Sequence, residues 1–286
     1  MKKKFIAVLS ACALMIMTLT GCGGEDDTDK TDNGKEKLTI GTLTYLNASE
    51  ERYNEIMEKL EKSYRPSKAN ISVNYKYFDS SKDLLLALNS NQVDYVSAYE
   101  SVANYLIDTN KDLEILKSER NLSDDFCFAF RKGDTVLQRS FNKAIKGMFD
   151  DGKLGELSKK YILDLKDGKE PPKIDIEKIP DADTIKVAVT GDLPPMDYIK
   201  ADGQAAGFNT AILAEISKRI GKNIEIVSVD SAARASILTS GGADVIFWVS
   251  VPKDSTLIPP GIDTPEGVIL SDPYYSDTII HVAKKN

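Results

Sequence analysis

The chain has 286 residues, a formal net charge of −7 and a single histidine, His281. No basic patch or run stands out, which argues against nucleic acid as a partner. That one imidazole stands near the C-terminus, which argues against histidine-based zinc sites and a Ser/His/Asp triad. Carboxylates do not cluster at useful spacing, so no general acid–base pair is visible. Binding is expected here rather than catalysis, without a cofactor or metal.

The N-terminus sets the expected compartment. Lys2, Lys3 and Lys4 form a positive segment, and Phe5 to Leu19 is apolar apart from Ser10 and Thr18. Such a run is short for a bilayer span and fits a signal-peptide core. It ends in Leu19-Thr20-Gly21-Cys22, which looks like the lipobox of bacterial lipoproteins. Residues 1–21 are therefore expected to be a lipoprotein signal and Cys22 a lipidated N-terminus on the extracytoplasmic face of the cell membrane. Residues 22–37 are polar, Asp-rich and without apolar periodicity, as in a flexible tether. Cys12 leaves with the signal, so Cys127 is the one free thiol. Its setting in Phe126-Cys127-Phe128 predicts a buried, inert group.

Strand-like and helix-like stretches then alternate, which favours an α/β arrangement. In chain order the pattern predicts a strand over Leu38 to Leu43, a helix over Ser49 to Tyr64 with Ser49 as N-cap, and a strand over Ile71 to Phe78. A helix over Ser81 to Asn89, a strand over Val93 to Ala98 and a helix over Val102 to Asp108 follow. Phe126 to Arg131 reads as a strand, and Thr135 to Phe149 with Leu154 to Leu163 as a helix pair. Residues 164–183, with Pro171-Pro172 and Pro180, read as a surface linker. A second series follows: strand Ile185 to Val189, helix Phe208 to Ile220, strand Ile224 to Val229, helix Ala232 to Thr239, strand Val245 to Val249 and strand Thr278 to Ala283.

Several pieces of that second series come in a telling order. They are Ile185-Lys186-Val187-Ala188-Val189, Asp192-Leu193-Pro194-Pro195-Met196, Gly207-Phe208-Asn209, Ser240-Gly241-Gly242-Ala243-Asp244 and Leu270-Ser271-Asp272-Pro273-Tyr274-Tyr275. Together they resemble the first lobe of the family 3 extracellular solute-binding proteins, the amino-acid receptors of ABC importers. The first half is similar to that family's second lobe through Leu38 to Tyr53, Val93 to Leu106 and Phe128 to Asp134. The resemblance implies a periplasmic-binding-protein-like type II fold, two α/β lobes around a ligand cleft, in circularly permuted order. Residues 38–119 would form the second-lobe-like domain and 120–286 the first-lobe-like domain, with the helix pair 135–163 and the linker 164–183 inside it. A permutation opened at a hinge strand predicts chain ends close together at the hinge and one covalent crossing, near Glu119 to Asp125, instead of two.

The family grips an α-amino acid between its lobes, at strand C-terminal ends and helix N-termini, where backbone N–H groups and the dipole favour carboxylates. Its usual carboxylate-binding Arg and amino-binding Asp are both missing here. Gly267 stands where the Arg would be in Thr264-Pro265-Glu266-Gly267, and Tyr99 occupies the Asp position. The resemblance instead points to Arg234, in Ala233-Arg234-Ala235-Ser236, as a guanidinium for a carboxylate, against a surface Arg on a solvated helix face. Trp248 stands where the family has a small residue lining the pocket, with Ser250 just after it, though as the only Trp of the chain Trp248 equally suits core filling. Asp192 is a candidate for an ammonium group or a turn cap, and Met196 and Phe208 are candidates for pocket wall. In the other lobe Tyr45, Asn47 and Ser49 occupy the turn before the first helix, where Ser49 suits an N-cap, and Glu100 stands ready to take over from the missing Asp. The implied partners are a small amino-acid-like or anionic solute, an ABC permease, and the membrane through the lipid anchor. A sensory or adaptor lipoprotein using the same fold is the second reading.

Overall fold

In the computed structural model of the protein, the described residues are 36–44, 46, 49–64, 71–116, 122–253 and 258–285. The expected signal, most of the tether with Cys22, and the candidates Tyr45 and Asn47 lie outside them. The first unit runs β1 (Glu36–Leu43), α1 (Glu50–Tyr64), β2 (Ile71–Phe78), α2 (Ser81–Asn89), β3 (Tyr95–Tyr99), α3 (Glu100–Thr109) and β4 (Leu113–Leu116). Strand β5 (Ser123–Arg131) leads into α4 (Thr135–Asp150) and α5 (Lys153–Ser158), which widens into a π turn over Lys159–Leu163. The second unit contains β6 (Thr184–Val189), a small sheet of β7 (Asp192–Leu193), β8 (Asp197–Ile199) and β9 (Ala205–Ala206), then α6 (Phe208–Ile220) and β10 (Asn223–Ser228). A 3-10 turn, Ser231–Ala233, opens α7 (Arg234–Thr239), and β11 (Val245–Lys253), β12 (Val268–Leu270) and β13 (Tyr275–Lys284) end the chain.

The strands form two five-strand sets of the same plan. One is ordered β2-β1-β3-β13-β4 and the other β10-β6-β11-β5-β12. In each set the parallel strands are joined by one antiparallel strand, β13 or β5, that is remote in sequence from its neighbours. Apolar residues on both faces of β5, from Phe126 to Phe130, make it the centre of the larger core, where Phe128 and Phe130 each meet Phe141 of α4 edge to face. The smaller core packs α2 and α3 onto β3 and β13 through Leu88, Val96, Ala103, Ile280 and Val282. This is the type II periplasmic-binding architecture. The linker does not hang free: Ile174 N–H donates to Ala205 O at 3.1 Å, Lys173 bridges Ala206, and Ile174 and Ile176 pack on the larger core.

Strand β13 corrects two expectations. Its start, Tyr275 to Thr278, pairs with β5, while Ile279 to Lys284 pairs with β3 and β4. Residues 279–284 therefore belong to the sheet of the first unit, not to the 120–286 domain. A second strand crosses between the units, so the single crossing is overturned. Nor do the described ends sit at the hinge. β1 starts, and β13 finishes, at the end of the sheet opposite to Tyr99, because β13 runs antiparallel to β3 and β1 runs parallel to it. Continuing an apolar strand across the hinge pairs its backbone on both sides, which an end opened at the hinge would forgo.

The candidate ligand cleft

Strand C-termini from both units converge on one cavity of about 540 Å³. Leu43 and Thr44 from the end of β1, Ala98 and Tyr99 from β3, Thr190 and Gly191 after β6, and Trp248 and Ser250 in β11 all line it. Open α/β sheets place ligands at such strand ends because the following helix N-termini offer unpaired N–H groups there.

Arg234 is the first residue of α7 and reaches this space. Its Nε donates to Ser231 O at 3.2 Å, Nη2 to Ser231 Oγ at 3.2 Å and Nη1 to Trp248 O at 2.9 Å. Of the five N–H groups of a guanidinium, these bonds leave one hydrogen on each Nη. Burial pulls the guanidinium below its ordinary pKa, opposed first by the charge of Asp263. Asp263 is itself 4 % exposed and accepts from Leu46 N–H of the other unit at 2.9 Å.

Trp248 is held in the left-handed backbone region, φ 64°, at an irregularity in the β11–β5 register. A bulge re-aims a side chain, and a bulky residue at positive φ costs energy that surrounding contacts must offset. Those contacts are present. The Trp248 carbonyl is bonded by Arg234, and its ring stacks on Phe126 at 4.9 Å and meets Tyr99 at 5.6 Å. Tyr99 Oη donates to Asp124 Oδ2 at 2.7 Å. Burial pushes Asp124 up to about 6, with the Tyr99 hydrogen bond acting against it. Burial and then the Asp124 charge push the Tyr99 phenol well above 10.

The structure thus gathers Tyr99, Asp192, Arg234, Trp248 and Ser250 around one cavity. It does not bring four other candidates to it. Ser49 is exposed and accepts from Arg52 N–H at 3.3 Å, the N-cap of α1. Glu100 projects into solvent from the first turn of α3, because the strand-to-helix corner after Tyr99 turns consecutive side chains apart. Met196 and Phe208 are fully buried in the core behind the cleft, the Phe208 ring lying 5.0 Å from that of Tyr275. Gly207, φ 93°, lets that backbone close up: a Cβ there would meet Pro195 O at 2.6 Å. Sequence reasoning missed Ser81, Asp124, Ser231, Asp263 and His281, all of which line the cavity. Asp124-Asp125 heading the apolar run of β5 was a signal for one of them.

Cys127 is buried, and burial pushes its thiol up to about 12. Among the described residues no three His, Cys, Asp or Glu side chains gather in a metal-holding arrangement.

Three solved structures align with most of the chain. The ligand-binding component of an ABC-type import system from Staphylococcus aureus, solved with zinc bound, aligns with TM-score 0.45 at 13% identity over 87% of this chain and 66% of that one. The probable amino-acid ABC transporter extracellular-binding protein ytmK from Bacillus subtilis gives 0.42 and 13% over 88% and 86%. The reduced OxyR regulatory domain from Pseudomonas aeruginosa gives 0.42 and 10% over 88% and 90%. No curated protein matches the chain. Residues 185–286, the stretch that supplies Asp192, Arg234, Trp248 and Ser250, match the model of the bacterial extracellular solute-binding proteins, family 3.

Proposed function

We propose that this chain is the receptor of an ABC importer, anchored through Cys22 outside the cell membrane, and that it binds a small anionic or zwitterionic solute between its two units. The observation that carries the reading is Arg234. It lines the cavity, its orientation is set by three bonds to Ser231 and Trp248, and two of its N–H groups remain for a carboxylate. The matching strand plans of the two sheets and the family match confined to residues 185–286 support a circularly permuted lobe order. In that order the old ends join through 164–183 and the new ends open beyond the crossing strand β13.

Identifying by mass spectrometry the small molecule that co-purifies, together with a thermal-shift screen of amino acids, dicarboxylates and their amides, tests the solute reading. Ligand that binds only the folded form raises the melting temperature in proportion to ln(1 + [L]/Kd). An uncharged or cationic best hit, or an anionic hit whose affinity survives Arg234→Ala, would refute the charge assignment. The anchor is tested separately: Cys22→Ala should shift the protein from the detergent phase to the aqueous phase, since acyl chains supply the membrane affinity. Equal partitioning of both forms would remove the anchor from the reading.

A further inference from the structure

His281 is 5 % exposed and lines the cavity, yet neither Nδ1 nor Nε2 has a hydrogen-bond partner among the described residues. An apolar side chain of similar size would carry no such cost, so an unpartnered imidazole facing a cavity is informative. Its direction follows from the strand. Ile280 and Val282 of β13 point into the smaller core, so His281 and Ile279 point to the opposite face. There His281 pairs with Ser97 of β3, and Ser97, Thr42, Tyr53 and Met57 line the same cavity. Ser97 lies one pleat repeat, about 6.8 Å, from Tyr99. The cavity therefore continues from Arg234 past Trp248 and Tyr99 to His281. Its size, about 540 Å³, falls in the range of roughly 300–1,000 Å³ typical of sites for drug-sized ligands. Burial lowers the imidazole to about 4, so near neutral pH it is uncharged, with one nitrogen donating and the other accepting.

Resting on the solute-site reading above, we propose that the far end of the cavity is a second subsite. There His281 hydrogen-bonds a neutral polar group of an elongated aryl carboxylate. The carboxylate sits at Arg234, the flat ring beside Trp248 and Tyr99, where aromatic faces favour it, and a hydroxyl or amide at His281.

The test uses two matched pairs of probes, phenylacetate with 4-hydroxyphenylacetate and 3-phenylpropionate with 3-(4-hydroxyphenyl)propionate. Affinities are read from the fluorescence of the one Trp, and the one imidazole is followed in a long-range 1H–15N spectrum of the full chain. The hydroxylated member of at least one pair should bind about tenfold more tightly and move an imidazole nitrogen resonance that its partner leaves in place. His281→Phe should bring the two members of each pair to equal affinity, and His281→Gln should restore part of the preference. Equal affinities within both pairs, a preference that survives His281→Phe, or an unmoved imidazole signal overturns the subsite while leaving the Arg234 reading intact. Failure of all four probes to bind overturns the aryl-carboxylate assignment. The broader solute reading is then judged by the amino-acid and dicarboxylate screen, which does not depend on His281.

Discussion

The backbone N–H of Ser81, the first residue of α2, donates to Asp192 Oδ2 at 2.7 Å across the cleft, and Ser81 Oγ donates to the Asp192 carbonyl. Helix N-termini leave N–H groups without intrahelical partners and favour negative charge, so a carboxylate from one unit satisfies a helix of the other. Ser231 Oγ to Thr44 O at 3.4 Å and Leu46 N–H to Asp263 at 2.9 Å span the same gap. Together these contacts form a polar latch between the two units.

Asp192→Ala should weaken that latch without disturbing either core. A charge-assisted bond is worth about 1.5–3 kcal/mol, so the affinity of a closing ligand should fall roughly tenfold or more. The radius of gyration of the ligand-free protein in small-angle scattering should rise. An unchanged radius and affinity would mean that closure does not depend on this contact.

Arg234→Lys keeps a cation but loses the planar fork that binds Ser231 and Trp248. Its affinity for an anionic hit should fall nearly as far as that of Arg234→Ala, by about 2–5 kcal/mol. Retention of near-parental affinity by the lysine would show that charge alone, and not the fork, holds the ligand.

Trp248 is the only Trp, so a solute in the cavity should change the intrinsic fluorescence directly. Trp248→Phe should remove that signal and weaken binding while leaving the fold intact. Trp248→Gly relieves the positive φ but deletes the ring, so its binding should fall further even if its melting temperature does not.

Two buried groups set opposing pH dependences. Asp124 is raised from 3.8 to about 6 in the folded chain. Its contribution favours folding below pH 3.8 and is lost as pH rises through 6. His281 is lowered from 6.5 to about 4, so its contribution is present above pH 6.5 and is lost as pH falls through 4. Each is about 3 kcal/mol in size. Asp124→Asn should gain stability over the parent at pH 7 and converge with it near pH 4. His281→Phe should gain over the parent as pH falls from 6.5 to 4. Urea unfolding at pH 4, 5.5 and 7 measures both differences, and parallel pH profiles for parent and variants would contradict the burial argument.

Much of the architecture was legible because local patterns encode it. The alternation of Ile71 to Phe78, the helical run Ser81 to Asn89 and the Gly221 stop after α6 are written in neighbouring residues, and these elements occur within a residue or two of their expected bounds. The family-like order of motifs in residues 185–286 likewise needs no coordinates. What the sequence could not decide lies between remote segments. That β13 crosses into the first unit depends on pairing Ile279 to Lys284 with β3 and β4, and period-two alternation says nothing about which sheet a strand joins. The same holds for the site. Arg234, Trp248 and Tyr99 were nameable from their motifs, but their mutual contacts rest on a positive φ at Trp248 and the bulge that carries it. His281 has no motif at all. It became part of the cavity only because the face of β13 opposite to Ile280 and Val282 is turned toward that space, a property of strand register and sheet packing that no single stretch of chain contains.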